Sequence, residues 1–477
     1  MSWETVIGLE VHCQLATRTK LFCGCENRFG AEPNTLTCAV CTGQPGVLPA
    51  LNEEAVALAV RAALALEAEV AGSSAFDRKN YFYCDLPKGY QVTQLARPYC
   101  TGGGLSLSSG RRIRLVRIHL EEDAGKAIHD RGDETLVDLN RAGVPLIESV
   151  TEPDLRSAEE AVEYLTALRE IMRFAGVSDG DMEKGSLRCD VNVSVRRPGE
   201  PLRVKVEVKN LNSFRSVTSA IEAEVRRQIE AYESGDESLF PRQETRLFDP
   251  ERSETRVMRT KEDEDDYRYF PEPDLPDVEH GSAFVEQQRG MLPELPAARR
   301  ARYLEELGLG EYDAGVLTAD RDVSDFFEAV ARAAPAKAAA NWVSNELLRV
   351  LGDEEFTASS VAELPFLPFD LARLIGLVEE GTVSKAGART IFNHLAEQGG
   401  DPAALVDELG VGQVSDTSEI EGWCREALAE NPTVAEAVRA GNERALGACF
   451  GPVMKRSGGR ADPNLVREIL LRLVSEG

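Results

Sequence analysis

Three segments alternate apolar and polar residues, and each therefore predicts a strand with two unlike sides. They are VIGLEVHCQL at 6–15, SLRCDVNVSVR at 186–196 and RVKVEVKN at 203–210. If the three strands pair in one sheet, their apolar sides pack on helices and their polar sides form one surface. The polar side chains on that surface include Glu10, His12, Asp190, Asn192, Glu207 and Lys209. Either this is a solvated sheet face whose charges form salt bridges, or its side chains are the ligands of a site.

Helical segments between the strands carry recognisable capping residues. In RSAEEAVEYLTALREIMRFAG, Ser157 can cap the first turn, Glu160 can complete a capping box and Gly176 can end the helix. A second helix follows Asn52, and a third runs from about 213 to 233. Because helices do not separate the strands at regular intervals, we expect an α+β fold with an antiparallel sheet rather than a doubly wound parallel sheet.

The pattern changes after two proline-rich segments, PEPDLP and PELP, which lie between 271 and 296. From about 297 onward the chain is rich in Ala, Leu and Glu, and its periodicity is helical. Helix starts such as DPAALVDELG and DPNLVREILLRL place Asp at the cap and Pro in the first turn. The predicted domains are a mixed domain at 1–292, a helical domain at 293–400 and a small helical tail at 401–477.

The formal net charge of −27 over 477 residues argues against a surface that attracts nucleic acid or anionic membranes everywhere. No stretch approaches the roughly 20 apolar residues that span a bilayer, and MSWETVIGLEVH does not resemble a signal peptide. We therefore expect a cytoplasmic protein without membrane contact. Any contact with nucleic acid must come from a local basic patch.

One such patch is predicted near the end of the chain. In GPVMKRSGGRADP, Lys455, Arg456 and Arg460 surround a Gly-Gly pair between two predicted helices. A basic loop of this kind can reach a phosphate backbone. The same sequence also suits an ordinary turn between two helices.

Four of the ten cysteines are concentrated in a short segment, spaced as C-x-C, twelve residues and C-x-x-C. They are Cys23, Cys25, Cys38 and Cys41. Two close pairs of thiolates can surround Zn²⁺ tetrahedrally, and four cysteines close the coordination shell, which indicates a structural site. The alternative is a loop of four reduced thiols that has lost its metal. Cys13 follows His12, but adjacent strand residues point to opposite faces, so the two are not expected to form a nucleophilic pair.

Carboxylates also follow apolar runs in two further segments. GVPLIESV places Glu148 among apolar residues, where a lone acid costs free energy unless it is paired or metal-bound. IHLEEDAGK places Glu121, Glu122 and Asp123 after another apolar run. Hard cations such as Mg²⁺ take oxygen ligands together with substrate phosphates. The candidate phosphate-binding cations are Lys79, Lys88 and Lys209. Since the chain lacks a P-loop sequence, ATP would have to be held by metal ions and side chains on the sheet.

A run of five acids, 262–266, is followed at once by the aromatic and basic sequence YRYF at 267–270. A charge run is usually a solvated loop. The abrupt change in composition is equally typical of a loop that is anchored at one end over a ligand.

Seven motifs together resemble the B subunit of the aspartyl/glutamyl-tRNA(Asn/Gln) amidotransferases, the GatB family. They are ETVIGLEVHCQL, FDRKNYFYCDLPKGYQVTQ, IHLEEDAGK, DLNRAGVPLIESVTEPD, GSLRCDVNVSV, EVKNLNSFRSV and DDYRYFPEPDLP. They occur in order, and the resemblance covers essentially the whole chain.

The resemblance implies a cradle-shaped catalytic domain related in fold to glutamine synthetase, followed by the helical domain and the tail, which would touch tRNA. The enzyme would use ATP to phosphorylate the side-chain carboxylate of Glu or Asp misacylated onto tRNA. Ammonia from glutamine hydrolysis in a partner amidase, GatA, would then displace phosphate. A small subunit, GatC, would hold the two together, and a non-discriminating aminoacyl-tRNA synthetase is a further candidate partner.

Carried onto this sequence, the family's Mg²⁺ and phosphorylation site resembles Glu10, His12, Glu122, Glu148 and Asp190. Strand alternation supports Glu10, His12 and Asp190 independently. The choice of Glu122 over Glu121 rests on the resemblance, because the apolar alternation near 113–120 is irregular. The cysteine set matches zinc-bearing family members. Two other functions remain open: a non-catalytic tRNA-binding adaptor, and a free-standing amide ligase of the glutamine synthetase type.

Overall fold

A computed structural model describes residues 2–129, 134–260, 264–353, 356–414 and 416–476. The chain divides into two compact units, Met1–Pro296 and Ala297–Gly477. The first unit mixes strands and helices, and the second is helical, which confirms the mixed character of the N-terminal part and the helical character of the C-terminal part. The division into three domains stays a prediction.

The first unit contains strands of very different lengths, from two residues to eleven. In chain order they are β1 (Glu4–Gln14), β2 (Glu69–Val70), β3 (Ser73–Ser74), β4 (Asp77–Asn80), β5 (Tyr90–Thr93), β6 (Cys100–Thr101), β7 (Gly104–Ser106), β8 (Arg112–Glu122), β9 (Lys126–Ile128), β10 (Leu136–Asp138), β11 (Pro145–Thr151), β12 (Leu187–Arg196), β13 (Val206–Lys209), β14 (Glu244–Asp249), β15 (Glu254–Thr260), β16 (Phe270–Pro271) and β17 (Val278–Glu279).

Most of these strands form one large sheet, with the order β15-β14-β13-β12-β1-β11-β8-β6-β2, and β7 pairs with β8. Its neighbours are antiparallel, as predicted, except that β13 and β14 are parallel. A helix joins that parallel pair, as such crossovers require. A separate small sheet has the order β16-β4-β5, and β9–β10 and β3–β17 form two-stranded pairs.

The helices of the first unit confirm the predicted helical segments. They are α1 (Glu53–Ala65), α2 (Ala158–Phe174), α3 (Phe214–Ser234) and α4 (Ser282–Gly290), with 3₁₀ turns at Glu237–Leu239 and Glu264–Tyr267. Asn52, Ser157 and Ser213 cap the first three helices through their side-chain oxygens. The apolar side of the sheet packs with residues of these helices in one hydrophobic core, so its polar side is left for other chemistry.

A β-bulge in β8 reverses the side on which its residues fall. The register of β8 against β11 skips Val116, which is left without a partner on β11. The buried apolar positions of β8 are odd-numbered before the bulge and even-numbered after it. The bulge therefore turns His119 and Glu121 to the polar side of the sheet and Glu122 to the opposite side. It explains the irregular alternation of this segment.

The second unit is built from helices. They are α5 (Pro296–Glu305), α6 (Glu311–Leu317), α7 (Arg321–Ala331), α8 (Ala336–Trp342), α9 (Leu348–Leu351), α10 (Pro368–Glu379), α11 (Lys385–Gln398), α12 (Pro402–Glu408), α13 (Thr417–Glu430), α14 (Pro432–Arg439), α15 (Gly447–Arg456) and α16 (Pro463–Glu476). A π-helical turn, Val343–Leu347, joins α8 to α9, and 3₁₀ turns lie at Val361–Glu363 and Glu443–Leu446. Within the described ranges, none of the helices is long and apolar enough to cross a membrane.

Two hydrophobic cores lie among the described residues of the second unit. One extends from Tyr303 to Val406, and the other from Ile420 to Leu470. Helix α12 packs in the first of these cores through Leu405 and Val406, although the sequence places a boundary near residue 400. The change from one core to the next therefore falls after α12.

Candidate functional site

The register of four neighbouring strands gathers acidic and basic side chains on the polar side of the large sheet. Glu10 on β1 lies opposite Asp190 on β12. His12, two residues further along β1, lies opposite Glu148 on β11. Glu148 in turn lies opposite His119 on β8. The predicted common surface of Glu10, His12 and Asp190 is therefore present, and Glu148 lies on it as well.

Two histidines and two glutamates form a tight cluster on this surface. The Nε2 atom of His12 lies 3.3 Å from Oε2 of Glu148 and 3.6 Å from Oε1 of Glu121. The Nε2 atom of His119 lies 3.2 Å from the same Glu148 oxygen and 3.4 Å from Oε2 of Glu121. The hydroxyl of Thr93 donates to Glu121 over 3.0 Å. The four side chains come from β1, β8 and β11, so the cluster depends on the pairing of those strands.

Glu122 is not part of this cluster, contrary to its assignment from the family resemblance. The bulge in β8 turns Glu122 away, and its carboxylate pairs with Lys88 and accepts from the Val92 amide over 2.9 Å. Both residues of this pair line a cavity of about 240 Å³ that also borders Cys41. Glu121 occupies the position in the cluster that the resemblance assigns to Glu122.

The cluster balances its own charge when it holds no metal. Although burial opposes protonation, the carboxylates of Glu148 and Glu121 raise the pKa of His12 and raise that of His119 to about 9. Burial likewise disfavours ionised carboxyls, yet the two imidazoles hold the pKa of Glu148 well below its usual range and lower that of Glu121. A divalent ion that binds here has to displace protons from imidazole, so its affinity should rise with pH.

Three cluster residues, His12, Glu121 and Glu148, each offer one ligand atom within 4.8 Å of the others. Carboxylate oxygens are the ligands that Mg²⁺ prefers, and three protein ligands leave positions for water or substrate oxygens. The residues therefore fit a catalytic divalent ion. Their arrangement also argues against a merely solvated sheet face, because Glu121 is only 2% exposed and Glu148 is largely covered.

A second polar group lies beside the cluster on the same surface. The Asn192 amide donates to Glu10 over 2.9 Å, and Asp190 pairs with Lys209. The Lys209 amine is also 3.3 Å from Glu207. Lys209, predicted to bind phosphate, is thus held between two carboxylates. The side-chain oxygen of Asn192 is buried and has no hydrogen-bond partner among the described residues.

Lys79 and Lys88 occupy different environments, although the sequence predicts phosphate binding for both. Lys88 pairs with Glu122 and is not brought to the polar surface. Lys79 makes no ion pair within the described ranges, and its amine lies 4.8 Å from the centre of the Tyr267 ring. Burial would lower the pKa of Lys79, but Tyr269, Glu121 and nearby groups raise it overall. Lys79 is therefore a charged amine that interacts electrostatically with Glu121 and Glu148 of the cluster.

The segment after the acidic run covers Lys79 with aromatic rings. Asn80 donates to the backbone oxygens of Tyr267 and Arg268 over 3.1 and 2.8 Å, and β16 pairs with β4. Tyr81 also contacts Tyr267, with ring centres 6.1 Å apart. This geometry agrees with a loop anchored at one end. The first two acids of the run, 262 and 263, lie outside the described residues.

The four predicted zinc ligands come together in the loop that follows β1. The Sγ atoms of Cys23, Cys25, Cys38 and Cys41 all lie within 4.8 Å of one another. Four soft thiolates at this spacing fit a tetrahedral Zn²⁺ site with no position left for substrate. The sequence spacing alone is enough to identify this cluster.

Lys20 supports the cysteine cluster, a role that the sequence does not indicate. Its fully buried amine donates to Cys41 Sγ over 3.6 Å and to the Leu139 carbonyl over 3.3 Å. The pKa of the Cys41 thiol is lowered, chiefly by a hydrogen bond from Cys23 and also by the charge of Lys20. Lys20 therefore compensates part of the negative charge that four thiolates carry.

The three basic residues predicted to contact tRNA lie at the end of α15 and in the turn after it. Arg456 pairs with Glu430 and, over 3.1 Å, with Glu426. Arg460 is partly buried and donates to the Ser457 carbonyl over 3.1 Å. Lys455 is exposed and makes no ion pair within the described ranges. Of the three, Lys455 thus presents the most accessible charge.

Sequence reasoning missed His119 as well as Lys20. The motif IHLEEDAGK contains both His119 and Glu121, and the spacing His-x-Glu mirrors Glu-x-His in β1. That signal is present in the sequence, but the bulge hides the side on which it falls. Lys20 gives no signal, because its role depends on the folding of the cysteine loop around it.

Comparisons with known proteins agree over nearly the whole chain. The family model of the GatB/GatE catalytic domain matches residues 5–286, and that of the GatB domain matches 325–474. The B subunit of aspartyl/glutamyl-tRNA(Asn/Gln) amidotransferase from Geotalea uraniireducens is 50% identical over 481 residues, with 99% of each chain covered. Proteins of the same description from an Anaeromyxobacter species and from Halorhodospira halophila are each 51% identical, with 99% and 98% of each chain covered.

Proposed function

This chain belongs to the GatB family, the B subunits of aspartyl/glutamyl-tRNA(Asn/Gln) amidotransferases, and we propose that its first unit carries the ATP-dependent step of transamidation. The chain is a subunit of a tRNA-dependent amidotransferase. Its substrates would be Glu-tRNA(Gln), Asp-tRNA(Asn) or both, and its products Gln-tRNA(Gln) and Asn-tRNA(Asn). The observation that carries the proposal is the cluster of His12, Glu121 and Glu148 on an otherwise polar sheet surface.

The proposed reaction begins with a carboxylate that is a poor electrophile toward ammonia. Phosphorylation by ATP converts the side chain of the tRNA-bound residue into an acyl phosphate, and ammonia then displaces phosphate to form the amide. Bound Mg²⁺ would supply the charge neutralisation that phosphates need when they meet a carboxylate. His12, Glu121 and Glu148 would hold that ion, and Glu10 and Asp190 complete the acidic surface beside it.

Lys79 would bind a phosphoryl oxygen of the nucleotide. Its amine is charged, lies near Glu121 and Glu148, and has no carboxylate partner within the described ranges. Tyr81, Tyr267 and Tyr269 surround it and would limit the access of water. Exclusion of water matters because an acyl phosphate hydrolyses readily.

We also propose that the first unit has the cradle form of the glutamine synthetase type and that the cysteine cluster holds a structural Zn²⁺. The zinc ion would organise the loop after β1, which leads from the candidate site to Asn52 and helix α1. Because the ligand set is closed, zinc would take no part in the reaction.

Transamidation requires partners as well as this chain. We propose that the chain acts in a heterotrimer with an amidase, GatA, which would supply ammonia, and a small subunit, GatC. A non-discriminating aminoacyl-tRNA synthetase would supply the misacylated tRNA. The proposed location is the cytoplasm, where these partners and tRNA would meet.

The decisive experiment reconstitutes the chain with its amidase and small subunits and assays Glu-tRNA and Asp-tRNA separately. We expect ATP hydrolysis that depends on misacylated tRNA, together with amide formation. Glu10→Ala and Asp190→Ala should abolish amide formation while the partner amidase still hydrolyses glutamine. Glu222→Gln, an exposed charge change on α3, is the matched control.

Each alternative function gives a different result in the same assay. A non-catalytic adaptor would bind tRNA without tRNA-dependent ATP hydrolysis. A free-standing amide ligase would form an amide from free glutamate without tRNA. Normal transamidation by both the Glu10→Ala and the Asp190→Ala variants would contradict the proposed site.

We propose that the tail contacts tRNA through Lys455, with Arg456 and Arg460 beside it. The double variant Lys455→Glu, Arg456→Glu should raise the Kd for tRNA roughly tenfold at moderate salt, because phosphate contacts are lost. Lys337→Glu, an equally exposed charge reversal on α8, is the control. An unchanged Kd, with normal thermal unfolding, would contradict the assignment.

A further inference from the structure

Arg117 on β8 has a charged side chain that finds no partner in the part of the chain that the structure describes. Its Nε atom is buried and donates to no acceptor among the described residues, and its guanidinium makes no ion pair there. The residue itself is only partly exposed. A buried donor without a partner costs free energy, so a side chain in this state is poised to gain a ligand.

The strand register places Arg117 on the same surface as the candidate active site. Arg117 is two residues from His119, beyond the bulge, and so falls on the polar side of the sheet. It lies opposite Val150, which in turn lies opposite Glu10. With strands about 4.8 Å apart, the backbone positions of Arg117 and Glu10 are about 10 Å apart. Val150, which separates them, offers no polar side-chain atom to Arg117.

The other basic groups of this surface are already engaged. Lys209 is held by Asp190 and Glu207, and Arg188 lies 3.0 Å from a carboxylate oxygen of Asp123. The imidazoles of His12 and His119 face Glu121 and Glu148. Arg117 therefore differs from these neighbours in having a full charge and a fixed set of donors that remain free within the described ranges.

We propose that Arg117 binds a phosphoryl oxyanion of a substrate on this surface. The proposal rests on the proposed function, which brings two such groups here: the phosphates of ATP and the phosphodiester near the end of the tRNA. Guanidinium donors match pairs of phosphate oxygens in a fork, whereas lysine offers a single point charge. The fork of Arg117 would orient the phosphoryl group from one side, and Lys79 would approach from the small sheet.

Equilibrium binding tests the proposal directly. The complex is assembled with wild-type chain, with Arg117→Met or with Arg117→Lys, and its Kd is measured for Mg·ATP and, separately, for tRNA. Arg117→Met should raise one of these two Kd values by about tenfold or more, the range for loss of charged hydrogen bonds. Arg117→Lys should fall between Arg117→Met and the wild type. A change in the ATP arm identifies the nucleotide as the source of the phosphate, and a change in the tRNA arm identifies the phosphodiester.

Arg112→Met is the matched control, because Arg112 begins the same strand, is exposed and pairs with Glu67 over 2.7 Å. It should leave both Kd values within about twofold of the wild type. If neither arm changes in Arg117→Met, the proposal is overturned. Low, non-denaturing guanidinium should restore binding in Arg117→Ala, which a residue with only a structural role would not allow.

Failure of this inference is distinct from failure of the proposed function. The two Kd measurements, for Mg·ATP and for tRNA, require no turnover. They therefore test Arg117 even if the assembled wild type forms no amide. Conversely, a wild type that transamidates while Arg117→Met binds both substrates normally would leave the proposed function intact and exclude Arg117.

Discussion

The two candidate metal sites of this chain are built on opposite plans. The histidine and glutamate cluster takes its members from three strands that are far apart in sequence and adjacent in the sheet. The cysteine cluster takes all four members from one loop. The first offers two carboxylates and one imidazole and leaves open positions, as a substrate-binding ion requires, and the second has soft ligands and a closed shell.

The two sites also differ in how they carry charge without metal. Two imidazoles compensate two carboxylates in the first, whereas in the second Lys20 faces four thiols. We therefore expect the first site to keep its geometry without an ion and to exchange its ion between turnovers. The second should depend on its ion to stay folded.

The largest expected effect is a loss of transamidation activity and of Mn²⁺ affinity that follows substitution of Glu121 but not of its neighbour Glu122. Glu121→Gln and Glu148→Gln should each lower transamidation on the order of 10³-fold, because charge at the phosphoryl group is no longer compensated. Both should also weaken Mn²⁺ binding, measured by electron paramagnetic resonance. Glu122→Gln should retain the Mn²⁺ affinity of the wild type. Equal loss of affinity in Glu121→Gln and Glu122→Gln would remove the distinction that the bulge creates.

The second expected effect concerns the cysteine cluster. Cys38→Ser combined with Cys41→Ser should remove zinc, measured by elemental analysis, and lower the Tm of the first unit by about 5–10 °C, a few kcal/mol at this size. Cys84→Ser, which changes an exposed cysteine outside the cluster, is the control. Full zinc content in the double variant would show that other groups hold the ion.

The smallest expected effect is a pH dependence of the free energy of unfolding, and it arises from the first site. The folded-state pKa of His119 is raised to about 9, above the ordinary 6.5, because Glu148 and Glu121 outweigh burial. Its protonated form therefore stabilises the fold fully below pH 6.5, and this stabilisation is lost as the pH rises through about 9. In magnesium-free buffer, the free energy of unfolding should fall by on the order of 2 kcal/mol across that interval.

Urea unfolding at a series of pH values measures this change. His119→Asn removes the titrating group and should flatten the dependence between pH 6.5 and about 9. A dependence that is unaltered in His119→Asn would assign the titration to another group. Added Mg²⁺ should also reduce it in the wild type, since the ion replaces the protons of the cluster.

The sequence reveals the two sites to different degrees. The reason is that the ligands of one site are close together along the chain, whereas those of the other are far apart. The cysteine spacing is local, so it identifies its four ligands without any knowledge of strand pairing. Alternation in β1 and β12 is also local, and it places Glu10, His12 and Asp190 on one side correctly. Which strands adjoin, and in which register, is not local. The contact between Glu148 and His119 could therefore not be derived.

Two features of the fold departed from expectation for identifiable reasons. The parallel pair β13–β14 follows from the crossover through α3, a helix that the sequence predicts without indicating where the next strand will pair. The strand predicted at 203–210 is shorter, at Val206–Lys209, because pairing with β12 extends only over Val191–Val193. In both cases the sequence predicts the helix or strand correctly, and the neighbouring strand determines its pairing direction or its length.

The bulge at Val116 determines on which side of the sheet the odd-numbered and the even-numbered residues of β8 fall after it. If β8 kept Val116 but paired without the bulge, strict alternation would continue from Leu115, and the two adjacent glutamates would exchange sides of the sheet without any change in their identity. Glu122 would then lie on the side of His12 and Glu148, whereas His119 and Glu121 would lie on the opposite side of the sheet, where Lys88 is now paired. The bulge, rather than any catalytic side chain, thus determines which of two neighbouring acids joins the histidine and glutamate cluster.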